Sequence, residues 1–592
     1  MRITLISMPW AIFYRPSIQL GALAAYLDRQ LPELSLDCLH PYLSVAKTIG
    51  FKQYKTISGN PWAGEALYSA LLFPENKKQA KQLFQRELPE LGNCFTLFTT
   101  LLEDHFTSWL EHYDFSDCDL LGFSICFSQL IPSLYGAGQI KKRHPGIPVV
   151  FGGSTCTPTV GTSLLGVFSQ VDYVITGEGE KPLLGLLDHL RHQEGPVPAN
   201  VLNRTPRAKI KSLPDNQEEK DLNTLPAPRY DHYFHELAEL GLSFIPELPI
   251  EFSRGCWWNK CSFCNLNLQW CGYRFKNHAK MTAEIRTLVR RHQCLDFFFA
   301  DNALPTKEAL TFFQYVAEEE IDLRFFAEIR APKTGKECRI YKQGGLQTIQ
   351  VGIEALADPL LQRMHKGTTV MDNIYAMKMA ISFGIRLEGN LILEFPGSTE
   401  QDVRQTLTVL AAILPYPPLQ AATFFLGEGS PVSINPEKFG IRAITRHPNN
   451  RLLFPEKTLE KLHLPISGYQ GDRMIQRRRW QPVRKSMAAW TAFHDNRTTP
   501  SRPALSLRDG GDFLLLRQER PDQPTLHHRL KGMSRDIYLA CDRPVSKKLL
   551  LQRFKKIKEA QLTVFIDDLC AKHLMYSNGS HCLALAVREQ QI

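Results

Sequence analysis

The sequence lacks any hydrophobic run of roughly 18 residues, the length that a membrane-spanning helix requires. Its first residues, Met1–Ser17, lack the basic and then apolar layout of a secretory signal peptide. Of the 592 residues, 43% are hydrophobic and 22% are charged, which is typical of an ordinary globular protein. We therefore expect a cytoplasmic protein without a membrane partner, long enough for about three or four domains.

Other absences narrow the possible functions. No G-x-G-x-x-G motif follows the first predicted strand, so the sequence does not support a nicotinamide nucleotide site. The 14 cysteines form no regular framework, which suits a reducing compartment better than a secreted disulfide protein. The net charge is +10, and a basic cluster lies in the last third of the chain: Arg473, Arg477, Arg478, Arg479 and Arg484. A solvated basic face explains this cluster most simply, so no nucleic-acid partner is expected.

Short apolar runs alternate with helical patterns through residues 1–200, which predicts an α/β fold with a parallel, doubly wound, Rossmann-like sheet. Residues 60–113 have a helical pattern without strand character and are expected to form an inserted cap. The predicted strands are residues 2–8, Leu120–Ser124, Val149–Gly152 and Tyr173–Thr176.

Small residues occur at the ends of these predicted strands, beyond which such a sheet binds its ligands. They are Ser124, Gly152-Gly153 and the run Gly177-Glu178-Gly179. Glycine at such a position lets the backbone approach a large flat or phosphorylated ligand closely. Glycines that serve only as turns are the alternative interpretation.

Residues 201–243 are polar and contain several prolines, which predicts a linker between two domains. Residues 244–440 then show six strand patterns separated by amphipathic helices, which predicts an open, partial (β/α)6 barrel. The strands predicted in this region are Leu248–Phe252, Phe297–Ala300, Leu323–Ile329, Thr348–Val351, Leu387–Leu393 and Ala421–Phe425.

Three cysteines follow the first barrel strand in a C-x4-C-x2-C spacing: Cys256, Cys261 and Cys264. Three thiolates on one tight loop can bind three irons of a [4Fe–4S] cluster and leave the fourth iron open to an exogenous ligand. A structural zinc knot with Cys271 as the fourth ligand is the alternative, although the second cysteine pair of a zinc ribbon is missing. An open iron would indicate an enzyme.

Polar side chains follow the next barrel strands, where functional residues are expected. Asp301 follows the second strand, Glu328 and Arg330 end the third, and Gly352 and Glu354 follow the fourth. Carboxylates at these positions can accept hydrogen bonds from ribose hydroxyls and an α-amino group. Each residue alone could be a helix cap or a surface ion pair, but their recurrence favours a ligand site.

Residues 441–592 are expected to form a small α+β domain. Asn435–Pro482 looks irregular and basic, and Leu505–Gln518 has the pattern of a hairpin. Two helical patterns, Lys547–Ile557 and Leu562–Lys572, precede a second hairpin whose turn is the Asn578-Gly579 dipeptide. This order suggests a winged-helix-like module, which could bind DNA or a peptide or serve only in packing.

Ten segments, in this order along the chain, carry a family resemblance: Ser7–Leu23, Asn60–Glu75, LLGFSICFSQ, VVFGGSTC, ITGEGE, RGCWWNKCSFCNLNLQWCGYRFK, FFADNAL, IQVGIEALADPLLQRMHKGTT, NLILEFPGSTEQD and HLMYSNGSHCLALAV. This ordered set resembles the cobalamin-binding radical S-adenosylmethionine (SAM) enzymes. The resemblance is closer to the subfamily known as radical SAM C-methyltransferases of ribosomally synthesised, post-translationally modified peptides (RiPPs). Two features differ from that subfamily: its gap between the first two cysteines is longer, and its GFPGE motif is EFPGS here.

The resemblance implies three cofactors: a [4Fe–4S] cluster, SAM and cobalamin. It implies that the cluster is held by Cys256, Cys261 and Cys264, and SAM by Phe263, Asp301, Glu328, Arg330, Gly352 and Glu354. It places cobalamin against Pro9, Trp10, Ser124, Gly152, Gly153, Gly177, Glu178 and Gly179. Since no D-x-H-x-x-G motif occurs in the chain, we expect base-off, His-off cobalamin.

The implied activity is methylation of an unactivated carbon of a ribosomally synthesised peptide. The expected partners are the precursor peptide and an electron donor such as flavodoxin or ferredoxin. One alternative is the same machinery acting on a small molecule or without net methyl transfer. Another is a cobalamin-sensing or metal-sensing binding protein, although the polar residues at the barrel strand ends argue against it.

Overall fold

A six-stranded sheet forms the amino-terminal part of the computed structural model, which describes residues 1–192, 197–204, 218–319 and 321–589. The strand order is β2-β1-β3-β4-β5-β6; the first five strands run parallel and β6 is antiparallel. The elements are β1 (Arg2–Ile6), α1 (Ile18–Gln30), β2 (Ser35–Leu39), α2 (Pro41–Ile49), α3 (Phe51–Ser58), α4 (Ala63–Leu72), α5 (Lys77–Glu87), α6 (Phe95–His112), β3 (Leu120–Ser124), α7 (Leu130–Arg143), β4 (Val149–Gly152), α8 (Pro158–Val167), β5 (Tyr173–Ile175), α9 (Glu180–His192) and β6 (Val201–Asn203).

Both faces of this sheet are covered by helices, because its central strands are apolar on both sides. All five residues of β3 are buried. Helices α1 and α9 pack on one face, and α7, α8 and the inserted helices α4, α5 and α6 pack on the other. The predicted strands β1, β3, β4 and β5 and the helical character of residues 60–113 are therefore confirmed.

Residues 201–243 are more than the predicted linker. The strand β6 extends the sheet by pairing with β5, and helix α10 (Asp231–Glu239) buries Tyr233 and Leu237. The carboxylate of Glu236 accepts a hydrogen bond of 2.9 Å from the backbone N–H of His40, which joins α10 to the first sheet. Residues 205–217 of the predicted linker lie outside the described residues.

The six strands predicted over residues 244–440 are all present, with helices between them. Five of them form a parallel sheet of order β13-β12-β11-β10-β7, while β14 pairs with β15 and a single bridge between Glu354 and Leu391 joins the two groups. The predicted strand Leu387–Leu393 is thus split at Gly389. The elements are β7 (Leu248–Ile250), β8 (Ser253–Arg254), β9 (Arg274–Phe275), α11 (His278–His292), β10 (Asp296–Phe299), α12 (Thr306–Glu318), β11 (Arg324–Ile329), α13 (Gly335–Gln343), β12 (Leu346–Val351), α14 (Asp358–Arg363), α15 (Val370–Ser382), β13 (Arg386–Glu388), β14 (Asn390–Leu393), α16 (Glu400–Ile413) and β15 (Gln420–Thr423).

Three antiparallel or mixed sheets follow, of order β16-β18-β17, β21-β20-β19-β25 and β22-β24-β23. Both predicted hairpins are present, but Asn435–Pro482 is not irregular, since it contains β17, β18 and several helices. The elements are β16 (Leu426–Gly427), α17 (Pro431–Ile434), β17 (Ala443–Arg446), α18 (Pro448–Leu453), α19 (Glu456–Leu459), β18 (Ile466–Gln470), α20 (Arg473–Arg479), α21 (Gln481–Asp495), β19 (Leu505–Asp509), β20 (Phe513–Arg520), β21 (Gln523–Lys531), α22 (Met533–Ala540), β22 (Val545–Ser546), α23 (Lys547–Arg553), α24 (Glu559–Ala571), β23 (Met575–Ser577), β24 (His581–Ala584) and β25 (Val587–Arg588).

The carboxyl-terminal helices are packed against the barrel in one continuous hydrophobic core. Trp480 and Trp490 are both 1% exposed, and the Trp480 indole Nε1–H donates to the hydroxyl of Ser398 at 2.9 Å. Across the described ranges of the chain, the structure contains no helix with the length and apolarity needed to cross a membrane.

Candidate functional site

A cavity lies where the carboxyl ends of β1, β3, β4 and β5 face the segment after β7. The first sheet contributes Ser124, Gly152, Gly153 and the run 177–180 to its wall. The opposite wall comes from residues on either side of the cysteine loop: Glu251, Arg254, Gln269 and Trp270. The structure therefore brings the predicted strand-end site of one half of the chain against the segments that flank the cysteine loop of the other.

The glycines of this wall differ in whether their surroundings leave room for a side chain. Gly153 has a φ of 111°, and a Cβ at this position would lie 2.5 Å from the carbonyl oxygen of Ile125. Gly177 also has a positive φ, of 79°. At Gly152, by contrast, the nearest heavy atom to an added Cβ is 3.8 Å away, so the space beside it is open. These backbone positions and the apolar side chains behind them fit a flat heteroaromatic group, and none of the described residues that line the cavity is a histidine.

Two residues predicted to contact cobalamin lie elsewhere. Pro9 and Trp10 do not line the cavity. The Trp10 ring is buried, with its centroid 5.1 Å from that of Tyr54 and 6.1 Å from that of Tyr68. Its role is to pack the loop after β1 against helices α3 and α4. The surroundings of Trp10 among the described residues are thus aromatic side chains, and its contact with cobalamin stays a prediction.

A buried ion-pair network joins the two walls. The guanidinium of Arg254 lies 2.9 Å from Glu178, 2.6 Å from Glu180 and 3.0 Å from Glu251. Burial disfavours the charge on Arg254, but the three carboxylates outweigh this effect and hold its pKa well above the usual value. The network therefore fixes the residue two positions before Cys256 to the end of β5.

Glu178 is consequently committed to protein contacts. Besides Arg254, it forms an ion pair of 2.5 Å with Arg274 and accepts a hydrogen bond of 3.0 Å from the backbone N–H of Glu219. It lines the cavity, but its carboxylate holds the walls together rather than pointing free toward a ligand. Gly177 and Gly179, on either side of it, remain candidates for ligand contact.

The three predicted cluster ligands share one loop and are all partly buried. Burial raises the pKa of the Cys261 thiol above its usual value and that of Cys264 to about 11. The cations Lys366 and Arg330 oppose this effect at Cys261, because positive charge favours a thiolate. Within the described part of the chain, no group of three or more His, Cys, Asp or Glu side chains is arranged to hold a single metal ion.

The chemistry of these donors fits a [4Fe–4S] cluster. Three thiols lie on a loop of nine residues, and cations face them from the barrel. Cys271 is exposed, and its backbone N–H donates a 2.7 Å hydrogen bond to Glu218. Phe263, between the last two cysteines, is half-buried against the hydrophobic core, and the Lys366 ammonium lies 5.9 Å from its ring centroid.

Several of the predicted SAM contacts meet beside the cysteines. Glu354 forms a 2.9 Å ion pair with Lys366, and burial together with the negative charge of Glu354 raises the pKa of Glu328 to about 7. Arg330 donates a 2.6 Å hydrogen bond to the carbonyl oxygen of Lys366. Gly352 leaves the space that the Lys366 ammonium occupies, since an added Cβ would overlap it.

Lys366 was missed by sequence reasoning, although it contacts Glu354 and Arg330 and faces the cysteines. It lies after α14 in an irregular segment and not at a strand end. The only available signal was its place in the segment IQVGIEALADPLLQRMHKGTT, which carried part of the family resemblance.

Asp301, a predicted SAM contact, is hydrogen-bonded to the protein itself. It is 2% exposed, and its carboxylate accepts hydrogen bonds from the backbone N–H groups of Phe252 and Ser253 and from the Ser253 hydroxyl. These donors belong to the segment that leads into the cysteine loop. Asp301 therefore positions that loop from the end of β10.

The pKa of Asp301 gives a pH-dependent test of this role. Burial raises the pKa to about 7, above an unfolded value of about 4, so protonation stabilises the folded state as the pH falls through about 7. Between about pH 8 and about pH 5, wild type should gain about 2–3 kcal/mol of unfolding free energy relative to Asp301→Asn, which cannot titrate. Urea unfolding at several pH values measures this difference; a constant difference would contradict the assignment.

Trp258 clamps the cysteine loop onto the segment after α14. Its indole Nε1–H donates a 2.8 Å hydrogen bond to the carbonyl oxygen of His365, and its ring fills the space where Gly367 has no side chain. The backbone N–H of Ser262 also donates to the carbonyl oxygen of Met364 at 2.9 Å. The loop is therefore held at both ends of the Cys256–Cys264 stretch.

Gly367→Ala should break this clamp. Gly367 has a φ of 69°, so alanine adds a backbone cost of about 1–2 kcal/mol, and overlap with the Trp258 ring adds about 1–3 kcal/mol. Gly384→Ala is a matched control, because Gly384 has a φ of 63° but nothing within 4 Å of an added Cβ. Urea unfolding and iron content should both distinguish the two variants; equal effects would show that Trp258 does not depend on Gly367.

Comparisons with known proteins agree with this arrangement. Residues 250–410 match the model of the radical SAM superfamily. An uncharacterised methyltransferase of Pyrococcus horikoshii is 25% identical over 355 residues, covering 57% of this chain and 76% of that protein. Hopanoid C-3 methylase of Methylococcus capsulatus is 26% identical over 321 residues, covering 53% and 60%. The chain spans about half to three quarters of the lengths of the curated relatives it matches.

A solved structure shares the fold over most of the chain. It is that of the radical SAM methyltransferase TsrM from Kitasatospora setae, bound to tryptophan and a SAM analogue. The superposition has a TM-score of 0.55 at 15% identity and covers 83% of this chain and 88% of TsrM. TsrM is also known with cobalamin and a [4Fe–4S] cluster bound.

Proposed function

We propose that this chain is a radical SAM enzyme that methylates an unactivated carbon of a ribosomally synthesised peptide, because residues 250–410 match the radical SAM superfamily and the chain shares the fold of the methyltransferase TsrM. The observation that carries the proposal is the shared cavity, where the strand-end glycines of the first sheet face the segments on either side of the cysteine loop, which Arg254 ties to the end of β5. When bound, the [4Fe–4S] cluster and SAM would supply hydrogen abstraction from carbon, and cobalamin would supply the methyl group.

The residues of this chain divide into three tasks under the proposal. Cys256, Cys261 and Cys264 hold the cluster. Glu328, Arg330, Glu354 and Lys366 orient SAM beside it, and Gly352 leaves room for Lys366. The cavity beyond β3, β4 and β5 holds cobalamin, and we propose the base-off, His-off form because the sequence has no D-x-H-x-x-G motif. Burial by the two walls keeps water from the reacting groups.

A peptide substrate is supported by the resemblance of the chain to RiPP-modifying enzymes and by the carboxyl-terminal order of helices and strands that resembles a winged-helix module. The relatives favour a second candidate, because hopanoid C-3 methylase is named for a lipid substrate and not for a peptide. The second candidate is therefore methylation of a large apolar small molecule with the same cofactors.

One experiment separates these possibilities. The protein is purified without oxygen from cobalamin-fed cells and incubated with SAM labelled in its methyl group, together with short peptides encoded near its gene in one reaction and with a lipid extract of its source cells in another. Label in the peptide supports the leading proposal, and label in a lipid supports the second. Absence of corrinoid and iron from the purified protein would contradict both.

A further inference from the structure

A charged pair at the carboxyl ends of the last two barrel strands has no task in the proposed methyl transfer. Glu394 follows β14 directly, and Thr423 is the last residue of β15. Arg484, from helix α21, donates hydrogen bonds of 3.2 Å through Nε and 2.5 Å through Nη2 to one carboxylate oxygen of Glu394. It also donates a 2.8 Å hydrogen bond through Nη2 to the Thr423 hydroxyl. The carboxyl-terminal part of the chain thus places a guanidinium at the strand ends, where functional residues of such a barrel lie.

This end of β14 lies beside the candidate SAM residues. The backbone N–H of Ile392 donates a 2.8 Å hydrogen bond to the carbonyl oxygen of Glu354, whose side chain pairs with Lys366. Glu394 is two residues beyond Ile392, a step of about 7 Å along an extended chain. A substrate group bound at Arg484 would therefore be near the site proposed for SAM.

The backbone of Glu394 is strained. Its φ is 63°, a conformation that glycine adopts freely and glutamate adopts only at a cost. The subfamily that the chain resembles has glycine at this position of its GFPGE motif, whereas this chain has EFPGS. A strained residue at the end of a barrel strand points to a task for its side chain. The contact that the Glu394 carboxylate makes is the one with Arg484.

Part of the Arg484 guanidinium is available to a ligand. The Arg484 side chain is 32% exposed, whereas that of Glu394 is 8% exposed. Among the residues that the structure describes, none accepts a hydrogen bond from Nη1 of Arg484, so its N–H groups can meet a carboxylate. Phe425, two residues beyond the end of β15, is 48% exposed and offers an apolar surface at the same strand end.

The surface around this pair is basic. Helix α20 is fixed to the loop after β14, since the Gln476 side-chain amide donates a 2.8 Å hydrogen bond to the carbonyl oxygen of Ser398. Residues 394–398 and 472–485 contain two acidic side chains, Glu394 and Asp472. The same two stretches contain six basic side chains: Arg473, Arg477, Arg478, Arg479, Arg484 and Lys485. Such an excess of positive charge attracts anionic groups and repels cationic ones.

We infer that Arg484 is a specificity-determining residue that binds a carboxylate of the substrate, and that Glu394 is a positioning residue that holds it at the strand ends. The carboxylate is either an acidic side chain of the peptide or its terminal carboxylate. The contact is non-covalent, with the Nη1 N–H groups donating to the carboxylate oxygens. The inference rests on the proposed function and extends it, because it names an anionic group that the substrate carries.

The test uses the short peptides encoded near the gene, each synthesised in three forms. The first form keeps every carboxylate, the second has each Asp and Glu replaced by its amide, and the third has only its carboxyl terminus amidated. Binding of each form to the complete enzyme, purified without oxygen, is measured by calorimetry at low and high salt. This measurement needs no turnover. Wild type is compared with Arg484→Gln and Arg484→Lys.

Arg286→Gln is the matched control. Arg286 also pairs with a glutamate, 2.7 Å from Glu319, and its side chain is 42% exposed, but it lies in helix α11 and not at a strand end. Denaturant unfolding checks that every variant is folded. The control should therefore report the effect of losing a partly exposed arginine without losing the proposed site.

Wild type should bind the first form about tenfold more tightly than the form that lacks the recognised carboxylate, and high salt should reduce this preference. Weaker binding of the second form identifies a side chain as the ligand, and weaker binding of the third form identifies the terminus. Arg484→Gln should lose the preference, Arg484→Lys should keep part of it, and Arg286→Gln should keep all of it. The inference is overturned if wild type binds all three forms equally or binds none, if Arg484→Gln keeps the preference, or if the control loses it.

Two substitutions of Glu394 separate positioning from stability. Glu394→Gly and Glu394→Ala both remove the carboxylate, but only glycine fits a φ of 63° without strain, so the glycine variant should unfold at a higher denaturant concentration. Both variants should nevertheless lose the preference for the carboxylate equally, because Arg484 is no longer held. A preference that is kept in either variant, or that follows their stability, would reject the positioning role.

The inference and the proposed function fail in different ways. If wild type contains neither iron nor corrinoid, the proposed function fails, whatever the peptide preference shows. If wild type contains both and transfers labelled methyl to a peptide, but Arg484→Gln keeps the preference for the carboxylate, the proposed function stands and the inference fails.

Discussion

Arg254→Met should destabilise the protein by about 3–5 kcal/mol, because it removes the cation that the buried carboxylates of Glu178 and Glu180 share with the partly exposed Glu251. Glu178 and Glu180 are 7% and 5% exposed, so water cannot replace the lost guanidinium. Their repulsion would separate the end of β5 from the segment that leads into Cys256. We therefore expect the variant to lose iron and corrinoid together, in addition to unfolding at lower denaturant concentration.

Arg291→Met is the matched control for this prediction. Arg291 also pairs with a carboxylate, 2.6 Å from Asp231, but its side chain is 50% exposed and that of Asp231 is 39% exposed. Removing an exposed pair of this kind costs about 0–1 kcal/mol. Adding Glu180→Gln to Arg254→Met should restore part of the stability. If Arg254→Met were as stable as Arg291→Met, the network would not be what joins the two walls.

Gly152→Leu should remove cobalamin without removing the cluster. An added Cβ at this position meets no atom closer than 3.8 Å, so the backbone accepts a side chain, and leucine then occupies space in the cavity. Corrinoid content after purification from cobalamin-fed cells should fall at least about tenfold, which corresponds to about 1.4 kcal/mol of binding free energy. Iron content should be unchanged, because the three cysteines follow β7 in the other half of the chain and none of them is among the residues that line the cavity.

Gly166→Leu controls for the added leucine. Gly166 lies in α8, and nothing lies within 4 Å of an added Cβ there. This variant should keep both corrinoid and iron. Equal corrinoid in the Gly152 and Gly166 variants would place cobalamin outside this cavity, and loss of iron from Gly152→Leu would show that the variant disturbs the fold instead.

The strands that carry the candidate site were predictable because each is a short apolar run beside a turn. Strand β3 is the clearest case, since all of its residues are buried. Strand β2 was missed because its sequence, SLDCL, is brief and interrupted by Asp37, whose side chain pairs with Arg2 at the sheet edge. Strand β6 was missed because it joins the sheet in the antiparallel direction, which no local pattern indicates.

Only those parts of the candidate site that depend on neighbouring residues in the sequence were predictable. The cysteine spacing and the polar residues after successive strands identified Cys256, Glu328 and Glu354. The pairing of Arg254 with Glu178 was not predictable, because the two residues are distant in sequence and meet only when the halves of the chain pack together. The packing of Trp10 was not predictable for the same reason, because its neighbours Tyr54 and Tyr68 lie in helices that are distant from it in sequence.

The central claim is that three cysteines, and not four, hold a cluster that cleaves SAM. The most direct measurement is formation of 5′-deoxyadenosine from SAM, with dithionite as the reductant, by oxygen-free wild type, Cys261→Ala and Cys271→Ala. We predict product from wild type and from Cys271→Ala and none from Cys261→Ala. The contrary result would be a wild-type protein that contains zinc instead of iron and does not cleave SAM, together with loss of the zinc from both cysteine variants. The loop would then have a structural role.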